Sequence, residues 1–204
     1  MSKEFSPAQK EIREIGGFSI EVLIDEKEIK ERLVIIADRM YEDYYGKGKD
    51  PVLICILKGA EPTYIWLAQE LGRGNPKTNR KPVSVHGGHL GLSSYGKSEK
   101  SSGRVKITSP LSVNIKGKDV IIVEDILDSG NTMTKAIKNI FLPKKPKSIE
   151  IFTLLNKAER RELPVYAKYI GFEIPDKFVV GFGLDYKKTK LRNLPWVGVM
   201  LPKL

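Results

Sequence analysis

Glu124 and Asp125 stand side by side directly after the apolar run Val120-Ile121-Ile122-Val123, and Asp128-Ser129-Gly130-Asn131-Thr132 follows three residues on. Adjacent carboxylates repel each other unless a cation or hydroxyl donors satisfy them, and a Mg²⁺ ion or the two vicinal hydroxyls of a ribose would do so. The loop behind them offers the hydroxyls of Ser129 and Thr132, a glycine at 130 free to take positive φ, and backbone N–H groups opening onto the apolar-patterned stretch Met133 to Phe141. Such a loop cradles a phosphate. Acids beside a phosphate cradle point to a phosphorylated sugar. The plainer alternative, a polar turn whose carboxylates face water, is disfavoured because two acids close a fully apolar strand.

These groups need a scaffold that brings them to one edge. Val120 to Val123 is β-branched throughout and bounded by charge, so it reads as a strand buried on both faces of a parallel sheet. The C-terminal end of such a strand is where open α/β sheets bind ligands. Further strands are expected over Ser19 to Ile24, Pro51 to Leu57, Ser148 to Leu155, Phe178 to Leu184 and Trp196 to Met200. Ile29, Leu33, Ile36, Met40 and Tyr44 recur at spacings of three and four, predicting a helix over residues 25 to 45, with Asp25 and Glu28 as its capping pair. A second helix is expected over Pro62 to Leu71, and Gly72 to Pro82 reads as an exposed loop. Val83 to Leu92 is extended in pattern but interrupted by three glycines, with Arg104 to Thr108 as a possible hairpin partner. The segment between them, about 93–103, is small and polar and reads as a mobile loop. Strands alternating with helices predict a mostly parallel sheet covered on both faces.

The run Val-Ile-Ile-Val-Glu124-Asp125-Ile-Leu-Asp128-Ser-Gly-Asn-Thr132 resembles the phosphoribosyl-pyrophosphate (PRPP) motif of the type I phosphoribosyltransferases, and most of all their hypoxanthine-guanine branch. The resemblance extends from about Val52 to Gly198. It implies an α/β phosphoribosyltransferase fold, a mostly parallel sheet flanked by helices, in a single domain over 1–204 with a small hood from the terminal segments. It also implies roles for particular residues. Glu124 and Asp125 would fix the ribose hydroxyls and serve as Mg²⁺ ligands, Ser129, Gly130, Asn131 and Thr132 would take the 5′-phosphate, and Asp128 would be the general base at purine N7. Leu57-Lys58-Gly59 resembles the pyrophosphate loop, where a cis peptide before the lysine is usual, and Arg192 resembles the arginine that clamps the same group. Ser94-Tyr95 resembles the flexible loop that closes over the sugar. Lys157, Phe178 and Val179 resemble the purine-binding half, and Asp185 the residue that holds a second Mg²⁺ through water and pyrophosphate. A lysine ammonium donates to a 6-oxo group but finds no acceptor on a 6-amino group, so this half would select hypoxanthine or guanine over adenine.

The implied protein is a purine-salvage enzyme transferring the 5-phosphoribosyl group from PRPP to hypoxanthine or guanine, working with Mg²⁺ as a homodimer or homotetramer in the cytoplasm. A xanthine-preferring transferase, or a PRPP-sensing regulator of the same fold that binds nucleic acid, would be the alternatives. Two departures stand out. The region before the flexible loop reads Val85-His86-Gly-Gly-His89-Leu90 where relatives carry an Asp-Phe pair, and Asp185 to Arg192 looks one residue longer than usual.

Composition sets the outer bounds. A chain of 204 residues with 41% hydrophobic and 29% charged residues suits one α/β domain and argues against disorder. The net charge of +10 suits a polyanionic ligand, a nucleic acid or an acidic partner alike. The basic groups Lys77, Arg80 and Lys81, then Lys144, Lys145 and Lys147, then Lys187, Lys188, Lys190 and Arg192 lack interleaved aromatics, so they read as solvated surface and no nucleic-acid partner is expected. Charges at Lys3 and Glu4 stand where a secretory signal would be apolar, and no run reaches membrane-spanning length, so no membrane partner is expected either. Cys55 is the sole cysteine and reads as a buried small hydrophobe. His86 and His89 read as surface or loop histidines for want of a third ligand.

Overall fold

A computed structural model describes residues 11–93, 106–187 and 189–202. The described chain opens on a hairpin of β1 (Ile12–Ile15) and β2 (Phe18–Ile24), turned at Gly16-Gly17 with φ of 57° and 80°. Two consecutive positive φ values are what a tight hairpin turn demands, and glycine meets them without strain. Helix α1 (Glu26–Asp43) starts with the expected capping pair: the Glu28 N–H donates to Asp25 Oδ1 at 2.7 Å and the Asp25 N–H to Glu28 Oε2 at 3.2 Å. Strand β3 (Val52–Leu57) leads through a cis Leu57–Lys58 peptide into α2 (Glu61–Arg73). Next come β4 (His86–Ser93), β5 (Lys106–Ser109) and β6 (Asp119–Leu127). Helix α3 (Asn131–Ala136) continues as a wider π turn over Ile137–Phe141. Strands β7 (Ser148–Asn156), β8 (Tyr169–Glu173), β9 (Val179–Val180) and β10 (Val197–Met200) complete the fold.

The main sheet runs β5-β4-β3-β6-β7-β8, parallel throughout except for the antiparallel edge strand β5. Alternate residues of its central strands feed two separate cores. Leu53 and Cys55 of β3 and Ile121 and Val123 of β6 pack with Leu33, Ile36, Leu67 and Leu71 of α1 and α2. Val52, Ile54, Val120 and Ile122 pack instead with Met133, Ala136, Ile140 and Phe141 on the other face. That is why these strands read as continuous apolar runs with no alternation. Burial pushes the Cys55 thiol up to about 12, so it packs as an inert hydrophobe. A second sheet, β1-β2-β10-β9, is antiparallel and joins the two ends of the described chain, as the expected hood does.

The structure corrects several boundaries. β8 has no counterpart among the expected strands, although its Tyr169, Ile170 and Phe172 pair alongside β7. The strand expected over Phe178 to Leu184 shrinks to Val179–Val180, because Gly181, Phe182 and Gly183 all take positive φ (93°, 46° and 99°) and turn the chain away. β6 does not stop at Val123: pairing with β7 carries it on to Leu127, so both acids lie within the strand. Arg80 is no solvated surface residue. It is buried at 3% exposure, with its Nε donating to Asp38 Oδ1 at 2.5 Å and its Nη1 to the Glu70 carbonyl, and so pins the 72–82 loop to α1 and α2. His86 and His89 are exposed, and three residues apart on a strand they point to opposite faces. No helix among the described residues is long and apolar enough to cross a membrane.

Candidate active site

The pairing of β3 with β6 ends at Cys55 and Val123, while β6 remains paired with β7 on its other side. A cavity of about 790 Å³ opens where β3 turns off. Its wall brings together Lys58, Gly59, Glu124, Asp125, Asp128, Ser129, Gly130, Thr132, Asp185 and Arg192, most of the residues singled out in the sequence. Adjacent strand residues normally face opposite ways, yet both Glu124 and Asp125 reach this space because it wraps around a strand that has lost a neighbour.

Burial pushes the Glu124 carboxyl well above its ordinary value, and the neighbouring Asp125 carboxyl pushes it the same way. Asp125 is also raised by burial, though less freely, because its Oδ1 accepts the Ile126 N–H at 2.8 Å. Glu124 Oε2 is buried and accepts no hydrogen bond. A buried carboxylate oxygen without a partner is costly, and a hydroxyl donor or a cation is the chemistry that can satisfy it.

The loop behind the acids is held from the side. Gly130 takes φ of 84°, and a Cβ there would come within 2.5 Å of Val165 Cγ1, so both conformation and space require glycine. Ser129 Oγ accepts from the Asn131 backbone N–H at 3.3 Å and from its side-chain amide at 3.1 Å, which leaves the serine proton to donate. Asn131 therefore faces the loop rather than the cavity, and its amide also donates to Glu162 Oε2 at 2.5 Å. The Glu162 N–H donates to the Ser129 carbonyl at 3.0 Å. Arg161 donates to the Asp128 carbonyl and to Asn156 Oδ1, both at 2.5 Å. Arg160 Nε lies 3.0 Å from Asp128 Oδ1. None of Arg160, Arg161 and Glu162 was singled out in the sequence. They follow Lys157 by only a few residues, but nothing in their own pattern reveals that they buttress a loop some thirty positions earlier.

On the opposite wall, the Arg192 guanidinium donates to Asp185 Oδ1 at 2.5 Å and to the Gly183 carbonyl. The longer Asp185 to Arg192 segment thus still brings its two ends together. Lys106 also lines the cavity, a basic residue at the start of β5 that sequence reasoning passed over.

Lys157, Phe178 and Val179, expected from the sequence to meet a purine, are not among the residues that line this cavity. Lys157 is buried at 7% exposure, with its Nζ 3.4 Å from Asp176 Oδ1. Phe178 is 58% exposed, edge-on to Tyr186 with centroids 6.3 Å apart, so one aromatic face is open. Val179 lies in β9, the edge strand of its sheet, which leaves one side of its backbone without a strand neighbour. Ser94 and Tyr95 lie outside the described residues.

The donor set fits Mg²⁺, which prefers oxygen ligands and usually takes one or two carboxylates plus substrate phosphates. Glu124, Asp125 and Asp185 supply such oxygens around one space. Among the described residues no three acidic, histidine or cysteine side chains converge into a cage, so a metal here would lean on oxygens brought by the substrate.

An open, nearly all-parallel sheet with a carboxylate-lined crevice at its strand ends defines an α/β protein of the nucleotide- and sugar-phosphate-binding kind. The family model for the phosphoribosyl transferase domain matches residues 25–187. The hypoxanthine phosphoribosyltransferase of Escherichia coli (strain K12) is 40% identical over 183 residues, 90% of this chain and 96% of that protein. The hypoxanthine-guanine phosphoribosyltransferase of Bacillus subtilis (strain 168) is 38% identical over 181 residues, 89% of this chain and 93% of that one. Among solved structures, a hypoxanthine-guanine phosphoribosyltransferase from Bacillus anthracis superposes with a TM-score of 0.76 at 37% identity, covering 88% of this chain and 98% of its own. The Trypanosoma cruzi hypoxanthine phosphoribosyl transferase does so with a TM-score of 0.79 at 34% identity, covering 93% and 95%. The chain belongs to the phosphoribosyltransferase family, on its hypoxanthine-guanine branch, and is a transferase of that class.

Proposed function

We propose that this protein transfers the 5-phosphoribosyl group from PRPP to hypoxanthine or guanine, giving IMP or GMP and pyrophosphate. The observation that carries this reading is the convergence on one cavity of an adjacent carboxyl pair with one buried oxygen lacking a hydrogen bond, a hydroxyl-bearing loop and the cationic residues Lys58, Lys106 and Arg192. Glu124 and Asp125 accept from the ribose hydroxyls, and Ser129, Gly130 and Thr132 bind the 5′-phosphate while Asn131 braces the loop from behind. Lys58, the Gly59 backbone and Arg192 hold the pyrophosphate and stabilise its charge as it departs. Glu124, Asp125 and Asp185 would hold a Mg²⁺ ion, which would help neutralise the charge of the departing pyrophosphate. Breaking of the C1–oxygen bond runs ahead of making the C1–nitrogen bond, so positive charge builds on the ribose as in other glycosyl transfers. Asp128 accepts the proton from purine N7, Lys157 donates to O6, Phe178 stacks on the base, and the backbone at Val179 meets its edge. Family membership supports a homodimer or homotetramer, and purine salvage in the cytoplasm is the setting this activity implies.

The test is a substrate panel. With Mg²⁺ and PRPP, hypoxanthine or guanine should yield nucleotide and pyrophosphate, and adenine essentially none. Turnover of xanthine above both would move the assignment to the xanthine-preferring relatives. Binding of PRPP without turnover of any base would replace the enzyme by a sensor.

A further inference from the structure

Lys157, Asp176, Arg160 and Asp128 form an unbroken line of alternating charge between the two halves of the site. Lys157 Nζ lies 3.4 Å from Asp176 Oδ1, Arg160 Nη1 3.1 Å from Asp176 Oδ2, and Arg160 Nε 3.0 Å from Asp128 Oδ1. Arg160 is the joint of this line, the one member in contact with both carboxylates. Its guanidinium is held in the charged form first by Asp128 and then by Asp176.

Stability is a poor reason for this arrangement. Arg160, Asp128 and Asp176 are each close to half exposed, and ion pairs in such surroundings contribute little to folding. The backbone of Asp128 has its own anchor in Arg161, so the Arg160 side chain is free to act on the carboxylate alone. Asp128 Oδ1 is buried beside that guanidinium yet accepts no hydrogen bond, so the contact is one of charge, and the exposure of the residue falls on the rest of its side chain.

Purine chemistry supplies a purpose. O6 and N7 lie on one edge of a 6-oxopurine, so a donor for the first and a proton acceptor for the second must be held at a fixed separation. Asp176 holds the lysine, and Arg160 ties Asp176 to the acceptor. We infer that Arg160 is a positioning residue that keeps Asp128 and Lys157 in register with a single purine edge. The inference rests on the function proposed above and adds to it a residue that touches neither sugar nor phosphate.

The experiment compares the full chain with Arg160→Ala and Arg160→Lys in steady-state turnover of hypoxanthine with PRPP, each variant checked for an unchanged thermal midpoint. Arg160→Ala should lower kcat/KM for hypoxanthine by about 10- to 100-fold, the loss expected from misplacing a reacting group by about an ångström. Its KM for PRPP should stay within about twofold, because the phosphate loop keeps Arg161 and Glu162. Arg160→Lys should recover part of the loss, since an ammonium can sit between two carboxylates but cannot fork to both. Arg160→Gln, which keeps length without charge, gives the same split should the alanine variant melt early. The inference is overturned by an alanine or glutamine variant with unchanged kcat/KM for the base, by a parallel rise in the KM for PRPP, or by a lysine variant no better than alanine. Failure of the parent protein to turn over any oxopurine would overturn the proposed function, and this inference with it.

Discussion

Gly59 lies so close to the Asp125 carboxyl that a Cβ at position 59 would overlap Asp125 Oδ2. The glycine that follows Lys58 is therefore required by a side chain from the neighbouring strand, and the Lys58-Gly59 turn and the Glu124-Asp125 pair are fitted to each other. In Gly59→Ala the carboxyl must move by about an ångström, and kcat/KM for PRPP should fall roughly 100-fold. Steady-state kinetics with PRPP as the varied substrate checks this. A variant with a near-normal value would mean that Asp125 gives way without consequence.

Burial of Glu124 should make the stability of the fold depend on pH. Its folded carboxyl is raised well above the ordinary value, so the folded state holds this proton more tightly than the unfolded state does. The protein should therefore lose stability as pH rises from the ordinary glutamate value toward the raised one. Glu124→Gln removes the ionisable group: it should melt with the parent near pH 5 and about 2 °C or more above it near pH 9. PRPP binding should weaken in the same variant. Calorimetric melts across pH decide the matter, and parallel curves for the two proteins would contradict it.

Asp128 touches the cavity while its main chain is fixed by Arg161. Asp128→Asn keeps the shape and removes the proton acceptor. Turnover of hypoxanthine should fall by about 100-fold or more with folding intact, the usual contribution of a general base. Retention of most of the rate would take Asp128 out of that role.

The Tyr169 hydroxyl donates to Asp43 Oδ2 at 2.6 Å, tying β8 to the end of α1, and neither residue lines the cavity. That hydrogen bond, with Lys168 as a lesser cause, lowers the Asp43 carboxyl, and burial with the same carboxylate raises the Tyr169 phenol. A depressed acid contributes stability above its unfolded value and loses it as pH falls through the folded one. Tyr169→Phe should melt about 1–3 °C below the parent at pH 7, a modest loss because Asp43 is partly exposed. The gap should close below about pH 4. Activity should be unchanged, and a gap that persists in acid would point to packing instead.

Local signals carried much of the fold into view. Unbroken apolar runs marked β3 and the first half of β6 because both faces of a parallel sheet are buried, and the Asp25 and Glu28 pair marked the start of α1 because capping depends on residues only three apart. The acids, the loop that follows them, Lys58 and Arg192 were legible as residue types in a pattern that resembles a family, and the structure gathers them around one cavity.

Elsewhere a distant neighbour decided the outcome. β8 extends along an edge that β7 offers, and Arg80 is drawn inside by Asp38 and Glu70 although its own loop reads as solvated. Gly59 answers to Asp125, and Arg160 to Asp128 and Asp176. The amino-acid sequence alone determined where strands and helices form and which side chains could do chemistry, since periodicity, capping and motif spacing act over a few residues. Which oxygen lacks a partner, which cation spans two carboxylates and which glycine has no room for a methyl group were decided by tertiary packing, because each depends on atoms contributed by chain segments far apart in the sequence.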